Sequence, residues 1–458
     1  MLTPEDTVVI LGFARQGKAL ARYFAGQGVS VVVSDRRSSE ALAADIAELD
    51  TLPIRYVLGA HPESLLDNCT LLCLSGGVSA DLPLVVEAQR RGIPVSNDAD
   101  EFLRNSPAPV LGITGSAGKT TTTALVGAMI REAGFQTWVG GNIGNPLISD
   151  LARMTPADRV VMELSSFQLE LMSCSPHIAA VLNITPNHLD RHKTMEAYIA
   201  AKAHIVTHQN SEDVAVLSFD EPNARGLAHQ TPAQVRYFSG SSEVETGAFL
   251  RGETLILRRE NQEWEICHRR DIRLRGFHNA VNTLAAVVLS DAAGAPVEAM
   301  RRAIMNFTGV EHRLEVVRRW RNVLWINDSI ATAPERVLAA LAAFDEPLVL
   351  LAGGRDKDLF WETFAFEVVR RVRVLVLFGE AMSLIDAHVS NALLEATGPR
   401  KLEKIIHAGT LEQAVSEAAR WAQSGEVVLL SPGGTSYDAF RDFAERGEQF
   451  RTLVRALK

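Results

Sequence analysis

Short apolar runs recur along the chain, and each is followed by a turn and then by a stretch with helical periodicity. The runs lie at residues 7–13, 29–35, 70–77, 109–115, 159–166, 178–185, 213–220, 323–329, 347–354, 373–379 and 426–434. β-Branched residues and leucine fill successive positions within them, so both faces of each strand are apolar, which is typical of parallel sheets covered by helices. The pattern predicts an α/β protein over most of its length.

The pattern is interrupted at two places that we interpret as domain boundaries. Residues 104–109 (RNSPAP) are polar and Pro-rich ahead of a new strand, and residues 306–313 (NFTGVEHR) follow two helices. A chain of 458 residues is also too long for one hydrophobic core. Alternating polar and apolar positions at 236–275 predict antiparallel hairpins within the middle domain. We predict three domains, over residues 1–105, 106–310 and 311–458.

Composition and charge exclude several classes of protein. With 47% hydrophobic and 22% charged residues, the chain is neither disordered nor fibrous. Its net charge of −9 argues against a broad nucleic-acid surface. No apolar run approaches the roughly 20 residues that span a bilayer, and the start lacks the features of a signal peptide. The four cysteines do not have zinc-ligand spacing. We therefore expect a cytoplasmic protein that binds neither nucleic acid nor membrane.

The sharpest chemical signal is the sequence GITGSAGKTT at residues 112–121. A strand, a Gly-rich turn and a helix start aim backbone N–H groups at phosphate oxygens, while Lys119 supplies a positive charge and Thr120 a hydroxyl for Mg²⁺. The strict phosphate-loop spacing is not met, because Ile113 stands five positions before Gly118. The pattern favours a nucleoside triphosphate site, and a Gly-rich turn with a surface lysine is the alternative.

A second, weaker sequence signal for nucleotide binding follows the first predicted strand. Residues 12–17 (GFARQG) approximate the dinucleotide-binding fingerprint, and the next strand ends at Asp35, which is placed to meet a ribose hydroxyl. Ala14 replaces the glycine that lets the backbone approach a pyrophosphate. Three interpretations stay open: a nicotinamide-like dinucleotide site, a site that holds some other nucleotide diphosphate more loosely, or a purely structural turn.

Three further residues are candidates for a metal site next to the phosphate loop. Glu163 ends a strand, His188 follows the next strand, and Lys202 lies one helix further on. A carboxylate at a strand end beside a phosphate loop is a common way to hold Mg²⁺. Each residue taken alone also has a structural explanation, as a helix cap, a hydrogen-bonded histidine or a solvated lysine. Their occurrence in one α/β unit favours a shared pocket.

The last third of the chain carries polar residues at the ends of several strands. Arg313 opens this region, and Asp328, Lys357 and Ser436 each follow a strand. Open α/β sheets bind ligands at the carboxyl ends of their strands, so a second binding surface is predicted there. Aspartate, glycine and serine are also common turn formers, which leaves turn-only roles as the alternative.

Taken in order, these motifs resemble those of the Mur ligases. The series comprises TGSAGKTTT (114–122), GGNIGNP (140–146), ELSSFQLE (163–170), NITPNHLDRH (183–192), AAKAHI (200–205), FHN (277–279), EHRLE (311–315), NDSIAT (327–332), GGRDK (353–357) and LSPGGTSYDAFRDFAERGEQF (430–450). The resemblance covers essentially the whole chain and is closest to the branch that adds glutamate to UDP-N-acetylmuramoyl-L-alanine. It implies a Rossmann-like N-terminal domain, a central P-loop ATPase-type domain and a Rossmann-like C-terminal domain.

The resemblance also implies a role for each matching position. The residues implied for ATP are Gly115, Ser116, Ala117, Gly118, Lys119, Thr120, Thr121, Asn279 at adenine, Arg313 at the γ-phosphate and Asp328 at the ribose. Those implied for magnesium are Thr120, Glu163, His188 and Lys202, the last as a carbamate. Those implied for the UDP substrate are Gly12, Ala14, Arg15, Asp35, Arg36, Arg37, Ser75, Asn142 and Ser165. Those implied for glutamate are Thr332, Lys357, Ser436 and Phe443.

The implied activity is ATP-dependent amide formation through an acyl phosphate, by a monomer, in peptidoglycan precursor synthesis. The catalytic residues would be Lys119, Glu163, His188, Lys202 and Arg313. The sequence departs from the family pattern at Ile330 and Gly433–Thr435, near the amino-acid pocket. D-Glutamate is the favoured acceptor, and the branch that adds L-glutamate is the alternative.

The alternative functions differ from the implied one in the substrate or in the class of protein. A sibling amide ligase or a folylpolyglutamate synthetase would share the ATP site. From other classes, a nucleotide-dependent oxidoreductase would need tight nicotinamide binding at residues 12–17, and a non-catalytic nucleotide-binding protein would not need Glu163, His188 and Lys202 together.

Overall fold

The computed structural model describes residues 2–274, 276–357 and 359–458. Within these residues the chain forms three β-sheets, which follow one another along the sequence. Parallel strands with helical connections dominate all three sheets, as the apolar runs predict. The predicted α/β class is therefore confirmed.

The first sheet is wholly parallel, with the strand order β3-β2-β1-β4-β5. Its strands are β1 Thr7–Leu11, β2 Ser30–Asp35, β3 Ile54–Leu58, β4 Leu71–Leu74 and β5 Val95–Asn97. Its helices are α1 Arg15–Gly26, α2 Ala43–Ala47, α3 Pro83–Arg90 and α4 Asp98–Asn105. The strand order reverses between β1 and β4, which opens a crevice at their carboxyl ends, as in other doubly wound sheets.

The central sheet has the order β14-β13-β12-β11-β10-β9-β6-β8-β7. Its strands are β6 Val110–Thr114, β7 Thr137–Gly141, β8 Arg159–Glu163, β9 Ile178–Val181, β10 Val214–Ser218, β11 Gln234–Ser239, β12 Gly247–Arg251, β13 Thr254–Arg259 and β14 Gln262–His268. Its helices are α5 Lys119–Glu132, α6 Ser166–Leu169, α7 Leu189–His192, α8 Met195–Thr207, α9 Pro222–Gly226, α10 Phe277–Ala292 and α11 Val297–Asn306.

The predicted hairpins at 236–275 form one edge of the central sheet. The strands β12, β13 and β14 are antiparallel to one another, which confirms that part of the prediction. However, β11 pairs in parallel with both β10 and β12. This segment therefore extends the central sheet in its own plane.

The third sheet has the order β15-β16-β20-β17-β18-β19, parallel except for the antiparallel edge strand β15. Its strands are β15 Glu315–Trp320, β16 Val323–Asn327, β17 Leu348–Gly353, β18 Val372–Phe378, β19 Lys404–Gly409 and β20 Val427–Gly433. Its helices are α12 Pro334–Leu341, α13 Glu362–Arg371, α14 Met382–Glu395, α15 Leu411–Trp421 and α16 Phe443–Ala456.

The chain divides into two compact units near residue 307. The first unit holds the first and central sheets, and the second unit holds Thr308–Lys458. One continuous core joins the two sheets of the first unit, with Val8 and Phe102 in the same apolar cluster as Met162 and Tyr198. The three predicted domains thus correspond to three sheets, although the first two sheets share a core, and the boundaries near 105 and 310 stay predictions.

Among the helices in the described part of the chain, none combines the length and the apolar character that a bilayer crossing requires.

Candidate active site

The loop between β6 and α5 has a backbone shape that only glycine accommodates well. Gly118 has φ +86°, and a Cβ atom there would lie 2.4 Å from Oδ1 of Asn282. Asn183, just beyond β9, pins the loop, because its backbone carbonyl and its Oδ1 accept from the N–H groups of Ser116 at 2.9 Å and Ala117 at 2.8 Å. The loop thereby leads into the N-terminus of α5, a favourable place for phosphate.

Two lysines converge on one carbonyl oxygen of this loop. Lys119 Nζ donates to the Gly115 carbonyl at 2.8 Å, and Lys202 Nζ donates to it at 3.1 Å and to Thr114 Oγ1 at 3.2 Å. Lys202 is only 1% exposed. Burial and the nearby positive charge of Lys119 lower the pKa of Lys202 to about 6, against the opposing effect of Glu163. Much of Lys202 is therefore a neutral amine near pH 7.

The two carboxylate oxygens of Glu163, the last residue of β8, lie in different environments. Its Oε1 accepts from Asn142 Nδ2 at 2.8 Å, whereas Oε2 is buried and has no hydrogen-bond partner in the part of the chain that the structure describes. A buried, unpaired carboxylate oxygen is costly unless a cation meets it. Thr120 is buried in the first turn of α5. These oxygen donors fit a hard divalent cation such as Mg²⁺.

His188 differs from the other predicted metal ligands in being exposed. It has a positive φ of +54° at the start of α7, and its ring lies edge-on to Phe167 with centroids 5.1 Å apart. Across residues 2–274, 276–357 and 359–458, no three His, Cys, Asp or Glu side chains form a group that could hold a metal ion. The predicted site at Thr120, Glu163, His188 and Lys202 therefore stays a prediction.

The predicted adenine contact, Asn279, lies close to the phosphate loop. Its Oδ1 accepts from Asn282 Nδ2 at 3.2 Å, and Asn282 in turn packs against Gly118. Tyr198 supports the other side of the loop, since its hydroxyl lies 3.0 Å from Ser116 Oγ. Its ring also packs 4.8 Å from Lys202 Nζ. The structure thus brings Asn279, the phosphate loop and Lys202 into one region.

The crevice of the first sheet collects the residues predicted for the UDP group. Gly12 has φ +87°, and a Cβ atom on Gly17 would lie 1.9 Å from the Gly12 carbonyl oxygen, so the turn requires both glycines. Ser75 lies beside Gly12 at the end of β4, and its Oγ is buried without a hydrogen-bond partner among the described residues. That hydroxyl is well placed to meet a ligand. Four further predicted residues are exposed after β1 and β2, namely Ala14, Arg15, Arg36 and Arg37.

Asp35 holds this turn together. Its carboxylate accepts from the Phe13 N–H at 2.7 Å and from Arg37 through the backbone N–H and the guanidinium. Burial acts to raise the pKa of Asp35, but the hydrogen bonds from Arg37 and Phe13 outweigh it and lower the pKa to about 2. Asp35 is therefore ionised at neutral pH and engaged by the protein itself.

Asn142 and Ser165 follow the adjacent strands β7 and β8. Ser165 is the N-cap of α6 and forms a capping box, in which its Oγ accepts from the Gln168 N–H and Gln168 Oε1 accepts from the Ser165 N–H. Its hydroxyl therefore has a structural role in addition to the predicted contact with the muramoyl substrate.

Arg313 and Asp328 lie close to each other in the second unit. Asp328 is 4% exposed, and its carboxylate accepts from the N–H of Leu314 at 3.1 Å and from Ser431 Oγ at 2.8 Å. Burial raises the pKa of Asp328 to about 7 in spite of these hydrogen bonds. Arg313 is half-buried directly before Leu314.

The four residues predicted for glutamate occupy one edge of the third sheet. Thr332, Ser436 and Lys357 are on the loops that follow the adjacent strands β16, β20 and β17, and Phe443 is the first residue of α16. Lys357 Nζ lies 5.6 Å from the centroid of the Tyr437 ring. Ser436 is buried. The structure therefore brings these residues to the carboxyl ends of adjacent strands, and their role in binding stays a prediction.

Sequence reasoning missed several residues that shape these sites. Asn183 and Tyr198 both had a usable signal, since Asn183 is the first residue of the motif at 183–192 and Tyr198 precedes Lys202 by one helical turn. Arg446 had none, because an arginine within a charged helix looks exposed in the sequence, whereas it is fully buried.

Family models match almost the whole length of the chain. A Mur ligase MurD-like N-terminal domain matches residues 6–97, a Mur ligase middle domain matches 113–290, and a Mur ligase glutamate ligase domain matches 312–434. Among solved structures, the UDP-N-acetylmuramate-alanine ligase MurC of Thermotoga maritima aligns over 99% of this chain and 100% of its own, with a TM-score of 0.58 at 18% identity. The MurF ligase of Thermotoga maritima, solved with ADP, covers 100% of each chain at a TM-score of 0.54 and 17% identity. The fold is that of a Mur ligase.

Relatives with higher sequence identity to the chain show its family directly. The chain is 42% identical to the UDP-N-acetylmuramoylalanine--D-glutamate ligase of Symbiobacterium thermophilum, over 99% of this chain and 98% of that protein. It is 37% identical to the ligase of the same name from Acetivibrio thermocellus, over 98% and 96%. The chain therefore belongs to the Mur ligase family, as its motifs predict.

Proposed function

We propose that this chain is an ATP-dependent ligase that joins D-glutamate to UDP-N-acetylmuramoyl-L-alanine in cytoplasmic peptidoglycan precursor synthesis, and that it acts as a monomer. The main support is the 42% identity, over nearly the whole of both proteins, to a ligase of that name. The phosphate loop with Lys119, and the buried pair of Lys202 and Glu163 beside it, support the ATP-dependent step.

The first step is phosphoryl transfer from ATP to the alanyl carboxylate. A carboxylate is a poor electrophile, and phosphorylation converts one of its oxygens into part of a leaving group. The N–H groups at the start of α5 and the Lys119 ammonium would stabilise negative charge on the transferred group. A phosphate oxygen would replace the Gly115 carbonyl as the acceptor for Lys119. Arg313 at the γ-phosphate, Asp328 at the ribose and Asn279 at adenine stay predictions.

Lys202 would act as a carbamate. Its neutral amine can attack CO₂, forming an N–C bond and releasing a proton, which turns a neutral group into an anion. Together with Thr120, Glu163 and His188, this group would hold Mg²⁺, which when bound neutralises phosphate charge. The unpaired Oε2 of Glu163 and the low pKa of Lys202 support this assignment.

The second step is amide formation at the third sheet. Thr332, Lys357, Ser436 and Phe443 would hold glutamate with its amine toward the acyl phosphate. The neutral amine attacks the acyl carbon, and the tetrahedral intermediate loses a proton and expels inorganic phosphate. The products are the amide, ADP and phosphate.

The named relatives favour D-glutamate over L-glutamate as the acceptor, in spite of the departures at Ile330 and Gly433–Thr435. Nothing comparable favours an oxidoreductase. The turn at residues 12–17 lacks the second glycine, and the carboxylate of Asp35 is already engaged by Phe13 and Arg37.

The decisive experiment measures phosphate release by the purified protein. We expect release only when UDP-N-acetylmuramoyl-L-alanine, ATP, Mg²⁺ and D-glutamate are all present, because each step needs the product of the one before. Omitting each component in turn is the control. Release that does not depend on an amino acid would contradict the proposal, and a preference for L-glutamate at equal concentration would assign the alternative branch.

A further inference from the structure

Arg446, the fourth residue of α16, is a fully buried cation whose three nitrogens each donate to a neutral oxygen. Its Nε donates to Ser329 Oγ at 3.0 Å, its Nη2 to the Ser329 carbonyl at 2.9 Å, and its Nη1 to the Gly434 carbonyl at 3.2 Å. The side chain is 0% exposed. Within the described parts of the chain, no carboxylate forms an ion pair with it. Such a residue is costly to bury, so a role beyond packing is called for.

The groups that Arg446 contacts belong to three different loops. Ser329, Gly354 and Gly434 are on the loops after β16, β17 and β20, which we call the acceptor loops. Gly354 is the third of these groups. Arg446 Nη1 packs so close to it that a Cβ atom on Gly354 would lie 2.9 Å from that nitrogen. The same three loops carry the predicted glutamate-binding residues Thr332, Lys357 and Ser436.

Phe443, the fourth residue predicted to bind glutamate, is linked to Arg446 through Ser329. Ser329 Oγ donates to the Phe443 carbonyl at 2.8 Å while it accepts from Arg446 Nε. A planar guanidinium with five donors in a fixed fork can bridge several loops in this way, whereas an ammonium cannot.

The charge of Arg446 also suits an acidic ligand. Burial lowers the pKa of Arg446 to about 10, opposed by Asp438, so the group stays protonated at neutral pH. A buried positive charge that no carboxylate pairs directly acts over several ångströms of low-dielectric protein, and the charge of Asp438 offsets part of its field. Its field therefore favours an amino acid with two carboxylates at the acceptor loops.

We infer that Arg446 is a positioning residue that fixes the three acceptor loops relative to Phe443 and thereby sets the affinity for the dicarboxylic amino-acid acceptor. The inference deepens the proposed function and rests on it. Arg446 itself touches none of the reacting groups, and it acts through the loops that it joins.

The test compares three variants of the full-length chain. Arg446→Lys keeps the charge and loses the fork. Ser329→Ala removes only the hydroxyl that links Arg446 to Phe443. Arg318→Lys is the matched control, because Arg318 also donates to three carbonyls of α16 and its end, those of Val454, Arg455 and Leu457, far along the helix from Arg446.

Two readouts separate positioning from a general loss of structure. Steady-state phosphate release gives KM for D-glutamate, ATP and the UDP substrate. Hydroxylamine trapping without glutamate reports the acyl phosphate alone. We expect Arg446→Lys to raise KM for D-glutamate about tenfold and Ser329→Ala about threefold, with the UDP-substrate KM within about twofold and trapping retained. Arg318→Lys should change neither readout.

The inference is overturned if Arg446→Lys and Ser329→Ala leave KM for D-glutamate unchanged, or if they raise all three KM values and lower trapping alike. If Arg446→Lys does not fold, Ser329→Ala decides by the same criteria. Absence of trapping in the unmodified protein would instead overturn the proposed function, and this inference with it.

Discussion

At the scale of single residues, Lys202 is in the most unusual environment of the phosphate-loop region. Its amine is 1% exposed, shares an acceptor with a second lysine and has a pKa of about 6. At pH 7 about nine-tenths of an amine with that pKa is neutral, against about a thousandth or less for an ordinary lysine. The protein therefore presents a nucleophilic amine at a pH where surface lysines are ammonium ions.

This environment predicts a carbamate that can be observed directly. At pH 7, ¹³C-bicarbonate should give one protein-bound carbamate signal by ¹³C NMR, and Lys202→Ala should remove it. Since the neutral amine is the reactive form, the signal should weaken as the pH falls through about 6.

A chemical rescue experiment complements the spectrum. Lys202→Ala should lose most phosphate release, and a small carboxylate such as formate should restore part of it by supplying the missing anion. Lys119→Ala, which removes a predicted phosphate contact, should not respond to formate. Near-normal activity of Lys202→Ala without formate would mean that Lys202 has no part in the reaction.

The carboxylate of Asp35 leads to a prediction about the stability of the protein at acidic pH. Because its folded pKa of about 2 lies below the unfolded value of 3.8, its ionised form stabilises the protein above pH 4, and this stabilisation is lost as the pH falls through about 2. Asp35→Asn should therefore lower Tm at pH 7, with a difference from the unmodified protein that shrinks toward pH 3. The variant should also weaken UDP-substrate binding, because the turn at Gly12 loses its anchor. An equal Tm difference at both pH values would contradict this account.

At the scale of elements, the sequence predicted the buried parallel strands well and the edge strands poorly. Every apolar run chosen from the pattern corresponds to a strand, because a strand covered on both faces must be apolar at successive positions. The strands that were missed were β3, β5, β7, β15 and β19. All five lie at an edge of their sheet. In addition, β3, β15 and β19 have half-exposed or exposed positions, β5 has three residues, and β7 ends in two glycines.

The same reasoning explains which site residues could be found. Motif residues at strand ends, such as Lys119 and Glu163, are marked by the apolar run before them. Contacts that join separate segments, such as those of Arg446 with the acceptor loops, depend on the folded backbone and leave no local pattern.

The phosphate loop allows a test of its geometry with a matched pair of glycines. Gly118 and Gly134, at opposite ends of α5, both have positive φ, but a Cβ atom at Gly134 meets nothing within 4 Å. Gly134→Ala should cost about 1–2 kcal/mol of stability from backbone strain and leave ATP binding intact. Gly118→Ala adds the clash with Asn282 and should weaken ATP binding at least about tenfold, measured by calorimetry. Equal ATP affinity in the two variants would contradict the assigned role of the loop.

At the scale of the whole molecule, the apolar cores do not follow the three sheets one by one. The first and central sheets share a core, whereas two apolar clusters of the second unit lie entirely within residues 308–458. A part of the chain should fold on its own only if it contains a complete apolar core, because a domain must bury its own apolar surface.

Fragments provide the measurement. Residues 308–458 expressed alone should show a cooperative thermal transition by circular dichroism, as should residues 1–307. Residues 1–105 should not, because apolar residues such as Val8 and Phe102 would lose their partners in the central sheet. A cooperative transition of the 1–105 fragment, at the temperature seen for 1–307, would show that the shared core contributes little.

The shared core also limits how such proteins can recombine. An exchange of genetic segments between relatives that breaks the chain near residue 307 leaves each apolar cluster with its own partners. A break near residue 105 would pair Val8 and Phe102 of one parent with Met162 and Tyr198 of another, so every core position would have to match in shape. Residues 308–458 can therefore be exchanged between relatives as one unit, whereas residues 1–307 must be inherited together.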